Sequence, residues 1–175
     1  AMEIAPAAHT SLGGVYARPD CSTGAEGLFV CGETLGGLHG ANRIGGNAGL
    51  ETMVFGRRAG CSAAAYMDTL SGEPTDCTDE ISDAAATVNI DALRAELTKI
   101  VGGALGVIRE AGKLEQAKTE LERMLEQIPE SGCYAQQRLR NDTLTAYAVT
   151  LAALERKTST GCHVRTDSAG EPEKY

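Results

Sequence analysis

Several common functional motifs are missing from the 175 residues. There is no Walker or kinase glycine loop and no strand–GxGxxG–helix with a following acid, so neither a nucleoside triphosphate nor a dinucleotide pyrophosphate finds its usual cradle. HExxH and i,i+4 histidine pairs are absent, and with only three histidines in the chain no metal site is expected. No GxSxG frames a serine, which removes the nucleophile-elbow hydrolases. The six cysteines (21, 31, 61, 77, 133 and 162) stand far apart without a CxxC pair. A zinc ribbon or iron–sulfur cluster is therefore not indicated, and no structural disulfide is expected. Cys31 and Cys61 lie among apolar neighbours and read as small hydrophobes.

Long apolar runs are lacking too. None approaches the roughly 18 residues of a membrane span, and "AMEIAPAAH" lacks the basic-then-apolar order of a signal peptide. Nothing points to export. Cationic excess is also absent: the formal net charge of -8 opposes an electrostatic grip on nucleic acid or anionic membrane. Small anions remain within reach of local cations such as Arg43.

What is present divides near residue 71. Most of the 21 glycines precede it, and "GGVYA" and "GLFVCGE" read as short strands around the polar loop "RPDCSTGAE". "GLETMVFGRRAGCSAAAYM" carries Leu50, Met53, Val54, Ala59, Ala63, Ala64 and Met67 mostly at three- and four-residue steps, which predicts a largely buried helix. Residues 71–88 combine Gly72, Pro74 and five acids without periodicity and read as a connector.

The second half reads as helix. Asn89 or Asp91 caps a segment with Leu93, Leu97, Ile100, Val101, Leu105 and Ile108 on one face. Gly102, Gly103 and Gly106 each cost that helix about 1 kcal/mol against Ala, which implies close helix contact or a local break. Leu114, Ala117, Leu121, Met124, Leu125 and Ile128 form the next stripe, and Leu139, Leu144, Tyr147, Leu151 and Leu154 a third. Three amphipathic helices on short turns read as an antiparallel bundle, followed by an extended and then frayed tail. There are no internal repeats.

Candidate chemistry gathers in "LHGANRIGGNAG", residues 38–49. A glycine turn at Gly45 and Gly46 leads into a helix near Asn47, whose first N–H groups and positive dipole end suit an anion or polar ring edge. Arg43, just upstream, can hold a carboxylate bidentately at the same place. His9 lies in "HTSLGG", His39 in "LHGANR" and His163 in "GCHVRTD". His9 and Arg43 both lie near glycines that let backbone approach a ligand closely. A small anionic ligand is favoured over a macromolecule.

The segments "APAAHTSLGGV", "GLFVCGETLGGLHGANRIGGNAGLETMVFGRRAG" and "ALERKTSTGCHVRTD" resemble, in order, the C-terminal part of the flavoprotein subunit of fumarate reductase and succinate dehydrogenase, a family that includes L-aspartate oxidase. The resemblance implies that His9 and Arg43 bind the dicarboxylate beside the flavin. It implies that Glu33 holds a ribityl hydroxyl, and that flavin contacts fall on Gly13, Gly14, Glu33, Asn47, Ala48 and Leu50. The helix starting at Asn47 would aim its positive end at the flavin pyrimidine edge and stabilise the anionic reduced ring. The chain departs from the family's pattern at Thr10, where an aromatic is usual, and at Ala48, where serine is usual. The family's Glu-Ser-Arg-Gly-Ala-His becomes Thr158, Ser159, Thr160, Gly161, Cys162 and His163, which removes an acid and an arginine from that turn.

The expected fold class is α+β: short strands and a buried helix forming a partial FAD-binding domain, then the three-helix bundle. The expected domains are 1–70, the C-terminal portion of the FAD-binding and substrate domain; 71–88, a connector; and 89–175, a helical domain with an extended tail. Because the FAD pyrophosphate cradle and the family's proton-donating arginine are missing, the chain reads as a C-terminal fragment, inactive alone, with no catalytic residue of its own. FAD belongs to the complete enzyme. Expected partners are fumarate or succinate, the remaining flavoprotein half and an electron-transfer subunit. Self-association through residues 1–70 is also expected, since their apolar faces lack cover. The location reads as cytoplasmic, with membrane association through partner subunits. Two other readings are an L-aspartate oxidase-type fragment and a non-catalytic helical docking module over residues 89–157.

Overall fold

A computed structural model describes residues 9–72 and 86–168. The chain divides into two compact units, 1–75 and 76–175. Most of the expected connector, the frayed end of the tail and Cys77 lie outside the described residues.

In the first unit the two expected strands shrink to single bridges, Val15 with Leu35 in parallel and Ser22 with Phe29 in antiparallel. Val15 N–H donates to Thr34 O at 2.8 Å and Gly36 N–H to Val15 O at 3.0 Å. Thr23 N–H to Leu28 O and Val30 N–H to Cys21 O, both 2.9 Å, close a tight hairpin. The ladder goes no further because Gly27 and Gly32, at φ 75° and 72°, turn the chain out of the extended region on either side. Gly14 is required by contact: a Cβ there would stand 2.2 Å from Thr34 O. A 3-10 turn, η1 (Gly32–Thr34), precedes the unit's helix, α1 (Asn47–Met67), which follows Gly46 in the left-handed conformation at φ 88°.

The expectation that α1 is largely buried does not hold. Of its residues only Glu51 and Ala59 are buried, and Leu50, Met53, Val54 and Met67 are exposed. Its packing partners in the unit are the short turn η1 and the hairpin around Cys21 and Phe29, too small together to cover a full apolar stripe. Cys31 and Cys61 are likewise exposed and do not act as core hydrophobes. The cysteine that does is Cys21, 1% exposed, whose thiol pKa burial pushes up.

The second unit contains α2 (Ile90–Ala104), β1 (Ile108–Arg109), α3 (Ala111–Gln127), α4 (Tyr134–Glu155) and β2 (Val164–Arg165). Asn89 caps α2 by accepting Ala92 N–H at 3.1 Å. The glycine-weakened stretch is where α2 stops. Ile108, expected on the helix face, is instead an exposed residue of β1, which pairs in parallel with β2 in the register Ile108 to Val164 and Arg109 to Arg165. The helices pack on one another around Leu97, Ile100, Ala104, Ala117, Leu121, Met124, Ile128, Leu139 and Ala146.

The stripe of α4 is rotated from the expected one. Leu144 and Leu151 face outward, and the buried line runs through Gln136, Leu139, Thr143, Ala146, Thr150 and Ala153. Thr143 and Thr150 are tolerated inside because each hydroxyl donates to a carbonyl one turn back, Leu139 O and Ala146 O, both at 2.8 Å. Small side chains on α4 leave room for the leucines and methionine of α3. The described residues thus combine four α-helices with a two-stranded parallel sheet.

Candidate functional site

Three stretches of the first unit, residues 10–13, 33–43 and 48–52, line a cavity of about 100 Å³. The first is anchored through Glu33, whose Oε1 accepts Ser11 N–H at 2.9 Å. That amide, the Thr10 hydroxyl, and the nearby charges of His9 and Arg43 hold the Glu33 carboxyl below the ordinary glutamate range. The second stretch is the glycine-rich turn. Within it the Arg43 amide donates to Asn42 Oδ1 at 2.9 Å, while Arg43 Nε is buried without a partner among the described residues. The third is the first turn and a half of α1, whose N-cap, Gly46, offers no side chain to its amides.

Of the residues singled out from sequence, Gly13, Glu33, Arg43 and Ala48 meet at this cavity. His9 is exposed and does not line it, though it lies close enough to act on Glu33. Gly14 supports the wall from behind through its contact with Thr34. Asn47 and Leu50 are exposed at the start of α1 and do not line the cavity.

Sequence reasoning missed Glu51. It is only 7% exposed, and its Oε2 sits 2.6 Å from His39 Nε2 while its Oε1 is buried with no partner among the described residues. A carboxylate accepts only, so the imidazole Nε2–H is the donor. The available signal was an acidic residue on the inward side of a helix's first turns, close after a histidine-bearing turn.

The turn from Thr158 to His163 lacks the acid and the arginine of the family's pattern, and the residues after it supply an ion pair. Arg165 Nε and Nη2 donate to Asp167 Oδ1 and Oδ2, both at 2.8 Å, and its Nη1 donates to Ala153 O and Arg156 O, both at 3.0 Å. Asp167 Oδ2 also accepts Ala111 N–H at 2.9 Å. One ion pair therefore satisfies the carbonyl end of α4 and the amide end of α3, groups a helix cannot satisfy itself. These bonds hold the Asp167 carboxyl far below its usual range. His163 Nε2 donates to Arg156 O at 2.9 Å and its Nδ1 accepts from Arg109 Nη1 at 2.9 Å. Burial first, then Arg109, Arg165 and Arg156, push the His163 pKa down, against the one raising contact to Arg156 O. Among the described residues no group of three His, Cys, Asp or Glu could hold a metal ion, and no helix is long and apolar enough to cross a membrane.

Comparison with known proteins agrees with this layout. A family described as FAD binding domain matches residues 1–48, and one described as fumarate reductase flavoprotein C-term matches residues 94–173. A fumarate reductase (CoM/CoB) chain of Methanothermobacter marburgensis is 34% identical over 95% of this chain and 34% of its own length. An L-aspartate oxidase of Rhodospirillum rubrum is 35% identical over 95% of this chain and 58% of its own. A solved quinol fumarate reductase chain of E. coli superposes with a TM-score of 0.76 at 25% identity, over 95% of this chain and 32% of that one. The chain thus spans about a third of the fumarate reductase relatives it matches. With both family matches and relatives aligned along nearly its whole length, the chain belongs to the flavoprotein family of fumarate reductase, succinate dehydrogenase and L-aspartate oxidase.

Proposed function

We propose that this chain is the C-terminal portion of an FAD-dependent oxidoreductase acting on a dicarboxylate such as fumarate or succinate. Residues 1–70 complete the flavin and substrate domain, 71–88 connect, and 89–175 form an antiparallel helical domain with its tail. The carrying observation is that Arg43, whose buried Nε has no partner among the described residues, shares one cavity with Glu33, Gly13 and the start of α1.

The residues fit a flat, polar-edged ring. Gly13 at φ 105° and Gly37 at φ 91° line the cavity, and a Cβ on either would meet nothing within 4 Å, so backbone is free to lie against a ligand there. Glu33 holds a ribityl hydroxyl, and Gly13, Gly14, Asn47, Ala48 and Leu50 provide the remaining flavin contacts. Bound FAD supplies hydride exchange with a carbon–carbon bond flanked by carboxylates. Arg43 binds one substrate carboxylate through its guanidinium, and His9, exposed and near enough to act on Glu33, holds the other end. The amides of α1, uncapped by any side chain, face developing negative charge with a positive helix end. Proton delivery to substrate and the dinucleotide cradle fall to the remaining flavoprotein half, so this chain alone does not turn over. An electron-transfer subunit completes the assembly.

A second reading, an L-aspartate oxidase-type flavoprotein, is favoured by the similarity to the Rhodospirillum rubrum enzyme. It uses the same Arg43 and His9. In the complete flavoprotein, Arg43→Leu is expected to lower turnover of fumarate by about 100-fold or more, the scale of losing a transition-state charge contact. Full fumarate turnover in that variant would reject the role given to Arg43, and aspartate oxidation without fumarate reduction in the unsubstituted enzyme would select the second reading.

A further inference from the structure

The cavity holds a contradiction that no assigned role resolves. Its charged lining is one guanidinium, Arg43, against two carboxylates, Glu33 and Glu51. A site meant for a dianion should repel it. Glu33 is already engaged by the Ser11 amide at 2.9 Å. Glu51 is the graver problem, because it is 7% exposed, its Oε1 is buried without a partner among the described residues, and water screens it little. Its sole hydrogen-bond partner among the described residues is His39, at 2.6 Å.

We propose that His39 is a positioning and charge-quenching residue for the dicarboxylate site: by donating to Glu51 it draws that carboxylate's charge away from the cavity and makes the site tolerant of an anion. The inference rests on the reading of Arg43 as a dicarboxylate ligand and adds to it a residue of the same lining that acts through Glu51. The geometry supports more than a structural tie. A packing contact would not require a buried carboxylate with one oxygen left over in a residue of the same cavity lining as the guanidinium, whereas an anion site lined by such a carboxylate does require its hydrogen-bond donor to be in place.

The role makes an unusual demand, since removing Glu51 should repair the loss of His39. Succinate binding to the complete flavoprotein is measured by calorimetry for the unsubstituted protein, Arg43→Leu, His39→Leu, His39→Gln, Glu51→Gln and the double variant His39→Leu/Glu51→Gln. Expected are loss of binding in Arg43→Leu and at least about tenfold weakening in His39→Leu, the effect of one unquenched charge at close range. His39→Gln, which keeps an N–H donor, should retain affinity, and the double variant should recover to within about threefold of the unsubstituted chain. A double variant no better than His39→Leu overturns the proposal while leaving Arg43's role intact. Absent succinate binding, or binding that survives Arg43→Leu, removes the underlying reading and the proposal with it. Where His39→Leu does not fold, Glu51→Gln decides alone: affinity equal to or above the unsubstituted chain supports quenching, and weaker binding overturns it.

Discussion

The two units treat their polar atoms in opposite ways. In residues 86–168 the charged and hydroxylic side chains that enter the interior find partners. Arg165 spans two helix ends, Thr143 and Thr150 bond within α4, and Gln136 accepts from the Thr87 amide and hydroxyl at 3.1 and 3.0 Å. In residues 9–72 two buried polar atoms, Arg43 Nε and Glu51 Oε1, have none, and both belong to residues lining one cavity. Buried polar groups are normally satisfied because an orphan costs about 1–3 kcal/mol. The contrast separates a unit whose buried polar atoms are satisfied from one that leaves two of them without partners among the described residues.

Core truncation should expose that contrast most. Leu121 is fully buried in the helical unit, so Leu121→Ala is expected to cost about 2–5 kcal/mol in helical-unit stability, read by urea unfolding followed by circular dichroism. Met53→Ala, at a site 76% exposed on α1, should cost under about 0.5 kcal/mol. Equal losses would erase the distinction drawn between the units.

Next in size is the tie between helix ends. Arg165→Ala takes the guanidinium from Asp167, Ala153 O and Arg156 O, leaving Asp167 only the Ala111 amide and Arg156 O only His163, and is expected to destabilise the helical unit by about 1–3 kcal/mol. Arg165→Lys restores charge without the fork and should recover only part of it. Full recovery by lysine would mean that charge, and not the two-ended geometry, is what matters there.

The smallest expected effect is on pH dependence. His163 has a folded pKa below its ordinary value of about 6.5, so the unfolded chain binds the proton more readily. Stability from this group is complete above about pH 6.5 and is lost as pH falls toward the folded value. Asp167, held low, contributes stability that is complete above its unfolded value of about 3.9 and is lost at more acid pH. A urea midpoint that declines below pH 6.5, with the upper part of the decline absent in His163→Gln, would match. A flat profile through that range would remove His163 from the account.

How far these features could be read in advance depended on how local they are. The start of α1 at Asn47 after a glycine turn, and the α3 stripe of Leu114, Ala117, Leu121, Met124 and Ile128, follow from neighbours three or four residues apart, and the structure buries that stripe. The glycines of residues 102–106 announced a break, though not the parallel pairing of Ile108 with Val164 across a long sequence gap. On α4 hydrophobicity pointed to Leu144 and Leu151. Burial chose Thr143, Ala146 and Thr150, because close approach to a bulky neighbour rewards small side chains once hydroxyls bond internally.

The sequence by itself pointed to the family, through the resemblance of its ordered segments, gave the period of α3, and nominated Arg43, Glu33 and His9 as candidates. Only the tertiary structure decided that Glu51 turns inward onto His39, that Arg43 Nε is left without a partner, and that Asp167 serves the far end of α3. Those outcomes depend on which groups lose water together. Desolvation belongs to the assembled surface and has no counterpart in the linear chain.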